Sequence, residues 1–208
     1  MRIGLIGAGK IGGTLARLFV AQGHEVALSN SRGPETLAEL VAEIGPSARA
    51  VTPAEAAEFG EVVVVSVPLG RYQEVPKAGM AGKTVIDTNN YYPQRDGHIS
   101  PLDDDSTTSA ELLAKHLPDA HVVKAFNQIR WDHLGAKGKP AGTPGRIGIP
   151  IAGDDAGAKQ VVMDLIDQIG FDAVDTGPLA TGRLFQPNTS LYVADVTADK
   201  IRAVVAAS

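Results

Sequence analysis

The chain has 208 residues, 44% of them hydrophobic, enough for one well-packed α/β domain and a small appendage but not for two full domains. Its formal net charge is −5 and no Lys- or Arg-rich cluster is present, which argues against a phosphate-tracking nucleic-acid surface. Zero cysteines exclude disulfides, thiolate metal sites and cysteine catalysis, and the longest apolar run, 62–67 broken by Ser66, is far shorter than the roughly 20 residues that span a bilayer. With no signal-peptide pattern at the start, a cytoplasmic protein without a membrane partner is expected.

An apolar run from Ile3 reads as a strand that runs straight into Gly7-Ala8-Gly9-Lys10-Ile11-Gly12, a match to G-x-G-x-x-G. Ile11, Leu15, Leu18 and Phe19 then recur at helical spacing. In this setting Gly7 makes the tight turn, Gly9 lets backbone approach a diphosphate, and Gly12 lets the helix pack on the strand. The helix N-terminus supplies unpaired N–H groups and a positive dipole end for the anion. An unrelated glycine-rich turn is the bland alternative, and a dinucleotide site is the better account of strand, turn and helix in register.

A second strand from His24 to Leu28 leads to Ser29-Asn30-Ser31-Arg32, where an NAD site usually carries an acid for the ribose 2′-OH. No acid is present. Ser31 and Arg32, with Asn30 beside them, offer a hydroxyl and a guanidinium fork suited to a 2′-phosphate, so NADP(H) is expected over NAD(H). A helix through Leu37, Leu40, Val41 and Ile44, a short strand at 48–51, and a capping box in Thr52-Pro53-Ala54-Glu55 follow. The β-branched run 62–67 reads as a strand buried on both faces and ended by Pro68. A helix over 72–77 and a strand at 84–87 complete the second half. The alternation predicts a Rossmann-type, doubly wound, mostly parallel α/β sheet.

The loop 88–107 is long for a compact domain, as lids and binding loops are. Asp103, Asp104 and Asp105 within it are expected to be a solvated, dipole-favoured helix start, and no metal site is assigned. Thr108 and Glu111 predict a second capping box before a helix over 110–116. The strand 121–127 points Phe126 and Asn127 at the same crevice. The loop 135–145, basic and rich in Gly and Pro, is expected to be mobile. A strand at 147–152, a helix after Asp154 and Asp155, a last strand at 171–175 and a turn at Gly177-Pro178-Leu179 follow. Residues 1–180 are thus expected to form the nucleotide-binding domain, with 181–208 as a short helical extension.

A nicotinamide enzyme acting on alcohols needs a general acid or base, and few residues here qualify. His24, His116 and His121 sit at element ends and read as structural. His98, His133 and Tyr91 or Tyr92 lie in loops that could reach the site. The strand ends instead present Val67-Pro68, Asn89-Asn90 and Phe126-Asn127, apolar or amide groups. Such a crevice suits hydride transfer to a ring stacked on the nicotinamide, where the protein mainly supplies orientation. The alternatives are an NADPH-dependent reductase of a small imine or carbonyl, and a non-catalytic NADP(H)-binding sensor.

The ordered set of motifs, from Gly7 to Gly12 through Asn30-Ser31-Arg32, Ser66-Val67-Pro68, Asp87 to Asn90, the run 122–127, Gly153-Asp154-Asp155 and 175–179, resembles the coenzyme F420-dependent NADP oxidoreductases. It is similar also to the related cytosolic domains of six-transmembrane metalloreductases, to which the run 122–127 is the closer match. The resemblance implies NADP bound by the glycine loop, Ser31 and Arg32 on the 2′-phosphate, and Val67, Pro68 and Asn89 near the nicotinamide ribose. It implies that Asn127 and Gly177, Pro178 and Leu179 face a flavin or coenzyme F420 acceptor. The 89–107 and 135–145 loops depart from the family in being longer than its usual connections, and both are expected to border that pocket. It also implies a homodimer.

Overall fold

Four consecutive valines show how the layers of this molecule arise. Side chains along a strand alternate between faces, and Val62 and Val64 join one hydrophobic cluster while Val63 and Val65 join another. Each valine buried this way contributes about 2 kcal/mol relative to exposure. The first cluster takes Leu15 and Phe19 from one helix and Leu165 and Ile166 from another; the second takes Ala56 and Ala57, Ala110 and Leu113 from helices on the opposite face.

The computed structural model describes residues 1–208. The order is β1 (Arg2–Ile6), α1 (Lys10–Ala21), β2 (Glu25–Ser29), a 3₁₀ turn (Pro34–Leu37) into α2 (Ala38–Ile44), β3 (Ala48–Ala50), α3 (Pro53–Phe59) and β4 (Val62–Val65). A 3₁₀ helix (Leu69–Glu74), β5 (Thr84–Asp87), the one-turn helices α4 (Pro93–Asp96) and α5 (Ser100–Asp103), α6 (Ser109–His116) and β6 (His121–Lys124) follow. The chain ends with α7 (Trp131–Ala136), β7 (Gly148–Gly153), α8 (Ala156–Gln168), β8 (Asp172–Asp175), a 3₁₀ stretch (Leu179–Phe185) and α9 (Ala198–Ala206). No helix is long and apolar enough to cross a membrane.

The eight strands form one sheet in the order β3-β2-β1-β4-β5-β6-β7-β8. The first six are parallel to one another, and β7 pairs antiparallel with β6 while β8 runs parallel to β7. The fold is therefore α/β, doubly wound and mostly parallel, as expected. Its switch point lies between β1 and β4, where the chain has gone one way to β3 and returns the other way; ligands bind outside the strand ends at such points.

Both predicted capping boxes form, Thr52 with Glu55 and Thr108 with Glu111, and Asp155 caps α8 by accepting from the Ala158 N–H at 2.7 Å. Elsewhere the local reading needs correction. The helix expected over 72–77 is a 3₁₀ helix that starts at Leu69, because Pro68 sets its entry and Val75, preceding Pro76, is extended. The strand expected over 121–127 leaves the ladder after Lys124, and Phe126, fully buried, turns with φ 62.

The 135–145 loop is anchored: the Lys139 N–H donates to Gly170 O at 2.9 Å, and Arg146, buried, ties Lys139 O, Asp167 and Asp172 together. The tail is only partly helical. Its 186–197 segment carries no regular helix and crosses back over the sheet, with the Gly148 N–H donating to Val196 O at 2.8 Å, before α9 buries Ala198 and Ile201 against Ala152, Val174 and Phe185.

Candidate functional site

The glycine loop is shaped as its spacing demands. Gly7 has φ 105, a region that favours glycine, and a Cβ there would collide with the Ser66 carbonyl. A Cβ on Gly12 would collide with the Gly7 carbonyl, so α1 packs directly on the turn. Gly9 differs: a Cβ on it would meet nothing within 4 Å. Two of the glycines thus serve internal packing, and the third leaves open space at the N-terminus of α1 where a diphosphate fits.

Two depressions meet at this loop. The first is lined by Gly7, Ala8, Gly9, Asn30, Ser31, Ser66 to Pro68, Arg71 and Glu74. Ser31 and Arg32 are exposed; the Asn30 side chain shapes their turn by accepting from the Arg32 N–H at 2.9 Å and donating to Thr36 Oγ1 at 2.8 Å. The Arg32 guanidinium has no partner within the chain and lies outside the lining of the depression. Arg71 is a second cation that the sequence did not single out: its Nη1 donates to Ser31 Oγ at 3.1 Å while Glu74 takes Nε at 2.8 Å and raises the guanidinium pKa. No local pattern links Arg71 to Ser31, 40 residues away, so only the fold reveals it.

The second depression is the crevice beyond the ends of β4, β5 and β6, lined by Lys10 and Ile11, Val67 and Pro68, Thr88 to Asn90, Phe126 and Asn127, with Tyr92, Arg95, Trp131, Tyr192 and Val193 at its sides. Its floor is a set of interlocked carboxamides. Asn90 Nδ2 donates to Asn127 O at 2.7 Å, and Asn127 Nδ2 donates to Asn90 Oδ1 at 3.1 Å and Phe185 O at 2.9 Å. Asn89 Oδ1 accepts the Val67 N–H at 2.9 Å. Asn89 Nδ2 and Asn127 Oδ1 are buried without a protein partner, a donor and an acceptor left over at the wall of the crevice. Open space at Gly9 and these two orphaned groups fit a bound dinucleotide.

The walls come from distant parts of the chain. Tyr92 and Tyr192 are hydrogen-bonded hydroxyl to hydroxyl, and burial followed by that bond raises the Tyr192 pKa. Arg95 stacks on the Tyr92 ring and donates to Asn90 O at 2.7 Å. Asp96, which pairs with Arg95, also accepts from the Tyr92 N–H at 2.9 Å; burial pushes its carboxyl up, but these donors outweigh it and hold it below the usual range. Lys10 Nζ lies 5.3 Å from the ring centroid of Trp131, a half-exposed indole at the rim.

Other candidates fall elsewhere. His24, His116 and His121 are in structural contacts: His24 with Gln168 at 2.8 Å, His116 donating to Val75 O at 2.8 Å, and His121 beside Asp155. His98 pairs with Asp103, which also accepts from Tyr91 at 2.6 Å, and His133 pairs with Asp195 at 2.8 Å; none of these lines the crevice. Asp103, Asp104 and Asp105 are exposed, as expected, but they lie at and beyond the end of α5 rather than at a helix start, and Asp103 braces the loop.

Gly177, Pro178 and Leu179 do not line the crevice of this chain. Because β7 and β8 run against β6, the end of β8 lies at the sheet edge opposite the crevice, where Gly177 O accepts from the Gly153 N–H and Leu179 is buried among Val63, Val85 and Val122. The 135–145 loop likewise lies away from the crevice, against Leu18, Gln22 and Gly170.

Comparison with known proteins agrees with this geometry. A family profile described as NADP oxidoreductase, coenzyme F420-dependent, matches residues 2–91. A solved protein of Sinorhizobium meliloti, SMa0349, is 30% identical with a TM-score of 0.81, over 95% of this chain and 95% of that one. A protein of Arthrobacter sp. FB24, provisionally assigned as an F420-dependent NADP-reductase, is 26% identical with a TM-score of 0.76, over 88% of this chain and 87% of that one. The N-terminal part of the chain, residues 2–91, is thus similar to the coenzyme F420-dependent NADP oxidoreductases. Metalloreductase STEAP3 of Rattus norvegicus is 31% identical over 185 residues, 88% of this chain. The chain spans 35% of the length of that curated relative. The family is one of NADP-dependent oxidoreductases, and the glycine loop and β4-end turn both fall inside the region of its profile.

Proposed function

We propose that this protein binds NADPH across the β1–β4 switch point and passes its hydride to a flavin or deazaflavin such as coenzyme F420. The observation that carries the reading is the crevice floor of Asn89, Asn90 and Asn127, whose carboxamides are locked to one another and to backbone, in a lining that holds no carboxylate or imidazole and whose one amine, Lys10, sits at the rim over Trp131. Bound NADPH supplies the hydride. The chain's own residues bind and orient: Gly9 leaves room for the diphosphate, the first N–H groups of α1 face it, Ser31 and Arg71 meet at the 2′-phosphate position, and the unpaired Arg32 beside Ser31 reaches it from outside the depression.

Hydride exchange between two stacked rings needs little proton management, and orientation alone is worth about 7–11 kcal/mol in favourable cases. Fixed carboxamides can hold both rings at a set distance without titrating. Tyr92, Tyr192 and Trp131 then enclose the acceptor from the sides. A homodimer belongs to the same reading and is tested by sedimentation velocity.

The test is NADPH oxidation by the purified protein with coenzyme F420, FMN, FAD and riboflavin in turn. Turnover with at least one is expected, with NADPH preferred over NADH. Tight NADPH binding with no oxidation by any of them would overturn the reading and leave a nucleotide-binding protein without this activity.

A further inference from the structure

Lys124 ends β6 and is among the largest fully buried side chains, 1% exposed. An ammonium taken out of water is costly unless every donor is satisfied. Here all three are: Nζ donates to Asp87 Oδ2 at 3.0 Å, to Ser109 Oγ at 3.0 Å and to the Asn89 carbonyl. Asp87 is buried as completely, and its second oxygen accepts the Asn89 N–H at 2.9 Å. The backbone of Asn89 is therefore gripped on both sides, its N–H by Asp87 and its carbonyl by Lys124.

Neither Lys124 nor Asp87 lines the crevice, whereas Asn89 does. Asn89 is also the link between the strand ends, since its Oδ1 holds the Val67 N–H and so turns its Nδ2, which lacks a protein partner, toward the other side. Stability alone is a poor explanation for the pair. Well-packed apolar residues of similar volume hold neighbouring strands at least as well as a buried ion pair, and Ile86 and Val123 already do so beside it.

We infer that the Lys124–Asp87 pair is a positioning device for the nicotinamide half of the site: it fixes the Asn89 peptide, and with it the carboxamide, without touching ligand or moving a proton. This rests on the NADP(H) reading above. The adenosine half, built from Gly7 to Gly9, Ser31, Arg32 and Arg71, is independent of the pair.

The test compares 2′,5′-ADP, which carries only the adenosine half, with NADPH by calorimetric titration of the full chain. The variants are Lys124→Met with Asp87→Leu, Asn89→Ala, and all three changes together. Removing both charges avoids leaving Asp87 unpaired, as Lys124→Met alone would. The paired replacement is expected to stay folded by circular dichroism, to bind 2′,5′-ADP within roughly twofold of wild type, and to bind NADPH roughly tenfold more weakly. In the Asn89→Ala background the same replacement should add less than roughly twofold.

Equal losses for the two ligands, an undiminished effect in the Asn89→Ala background, or failure of the paired replacement to fold would each overturn the inference. Wild-type protein that binds neither ligand would instead remove the NADP(H) reading itself, and this inference with it.

Discussion

Tyr92 and Tyr192 stand 100 residues apart in the chain and meet hydroxyl to hydroxyl at the side of the crevice. The contact joins the long loop after β5 to the returning tail, and the Val193 N–H next to it donates to Gln128 O at 2.8 Å. Tyr192→Phe should remove about 1 kcal/mol of stability, seen as a lower urea midpoint with an unchanged slope. It should raise KM for the hydride acceptor and leave the NADPH dissociation constant unchanged. A shift in NADPH affinity of the same size would mean that the tail acts on the nucleotide half instead.

Arg32 and Arg71 are expected to differ in weight. Arg32 is unpaired and free to meet a 2′-phosphate, whereas Arg71 is already shared with Ser31 and Glu74. Fluorescence titration should show Arg32→Ala weakening NADPH by roughly tenfold to a hundredfold with NADH nearly unaffected, and Arg71→Ala giving a smaller loss in the same direction. Equal losses for NADPH and NADH would make Arg32 a structural residue.

The three glycines of the loop should separate into folding and binding classes. Gly12→Ala places a methyl against the Gly7 carbonyl and should cost about 1–3 kcal/mol in chemical unfolding. Gly9→Ala meets open space in a backbone conformation alanine adopts freely, so stability should stay within about 0.5 kcal/mol. Its methyl would occupy the diphosphate position, and NADPH affinity should fall by roughly tenfold or more.

Asp96 predicts a pH dependence. Its carboxyl is held below the usual range by Arg95 and by the Tyr92 and Gly70 N–H groups, against the push of burial. A depressed acid stabilises the fold above its unfolded pKa, about 3.9, and loses that contribution as pH falls through the folded value. Urea unfolding should therefore find wild type more stable than Asp96→Asn at neutral pH, with the gap closing below about pH 4. A gap that widens in acid would contradict the assignment.

Those features that depend on neighbours in sequence are legible in the sequence itself. Gly7 to Gly12, both capping boxes and the four valines of β4 declare themselves because turn, cap and strand are local, and Ser31-Arg32 follows β2 directly. The strand ends at Val67-Pro68, Asn89-Asn90 and Asn127 follow from the same reasoning. What sequence does not carry is whatever depends on strand direction after β6. The position of Gly177 to Leu179 away from the crevice is of this kind, since periodicity marks a strand but not its sense. Arg71 and Tyr192 escape a sequence reading because their partners, Ser31 and Tyr92, lie 40 and 100 residues away.

The single antiparallel step between β6 and β7 also divides labour along the chain. Everything that frames the first depression comes from residues before Met80, and the crevice floor comes from chain that ends at Asn127. After the reversal the polypeptide braces the floor from behind with the Phe185 carbonyl and lines the crevice itself with Tyr192 and Val193, the latter a β-branched residue at φ 55. Altering the segment 186–197 would therefore change the shape of the opening while the nucleotide cradle stays as it is, so that the choice of electron acceptor and the choice of electron donor are separately adjustable in one small sheet.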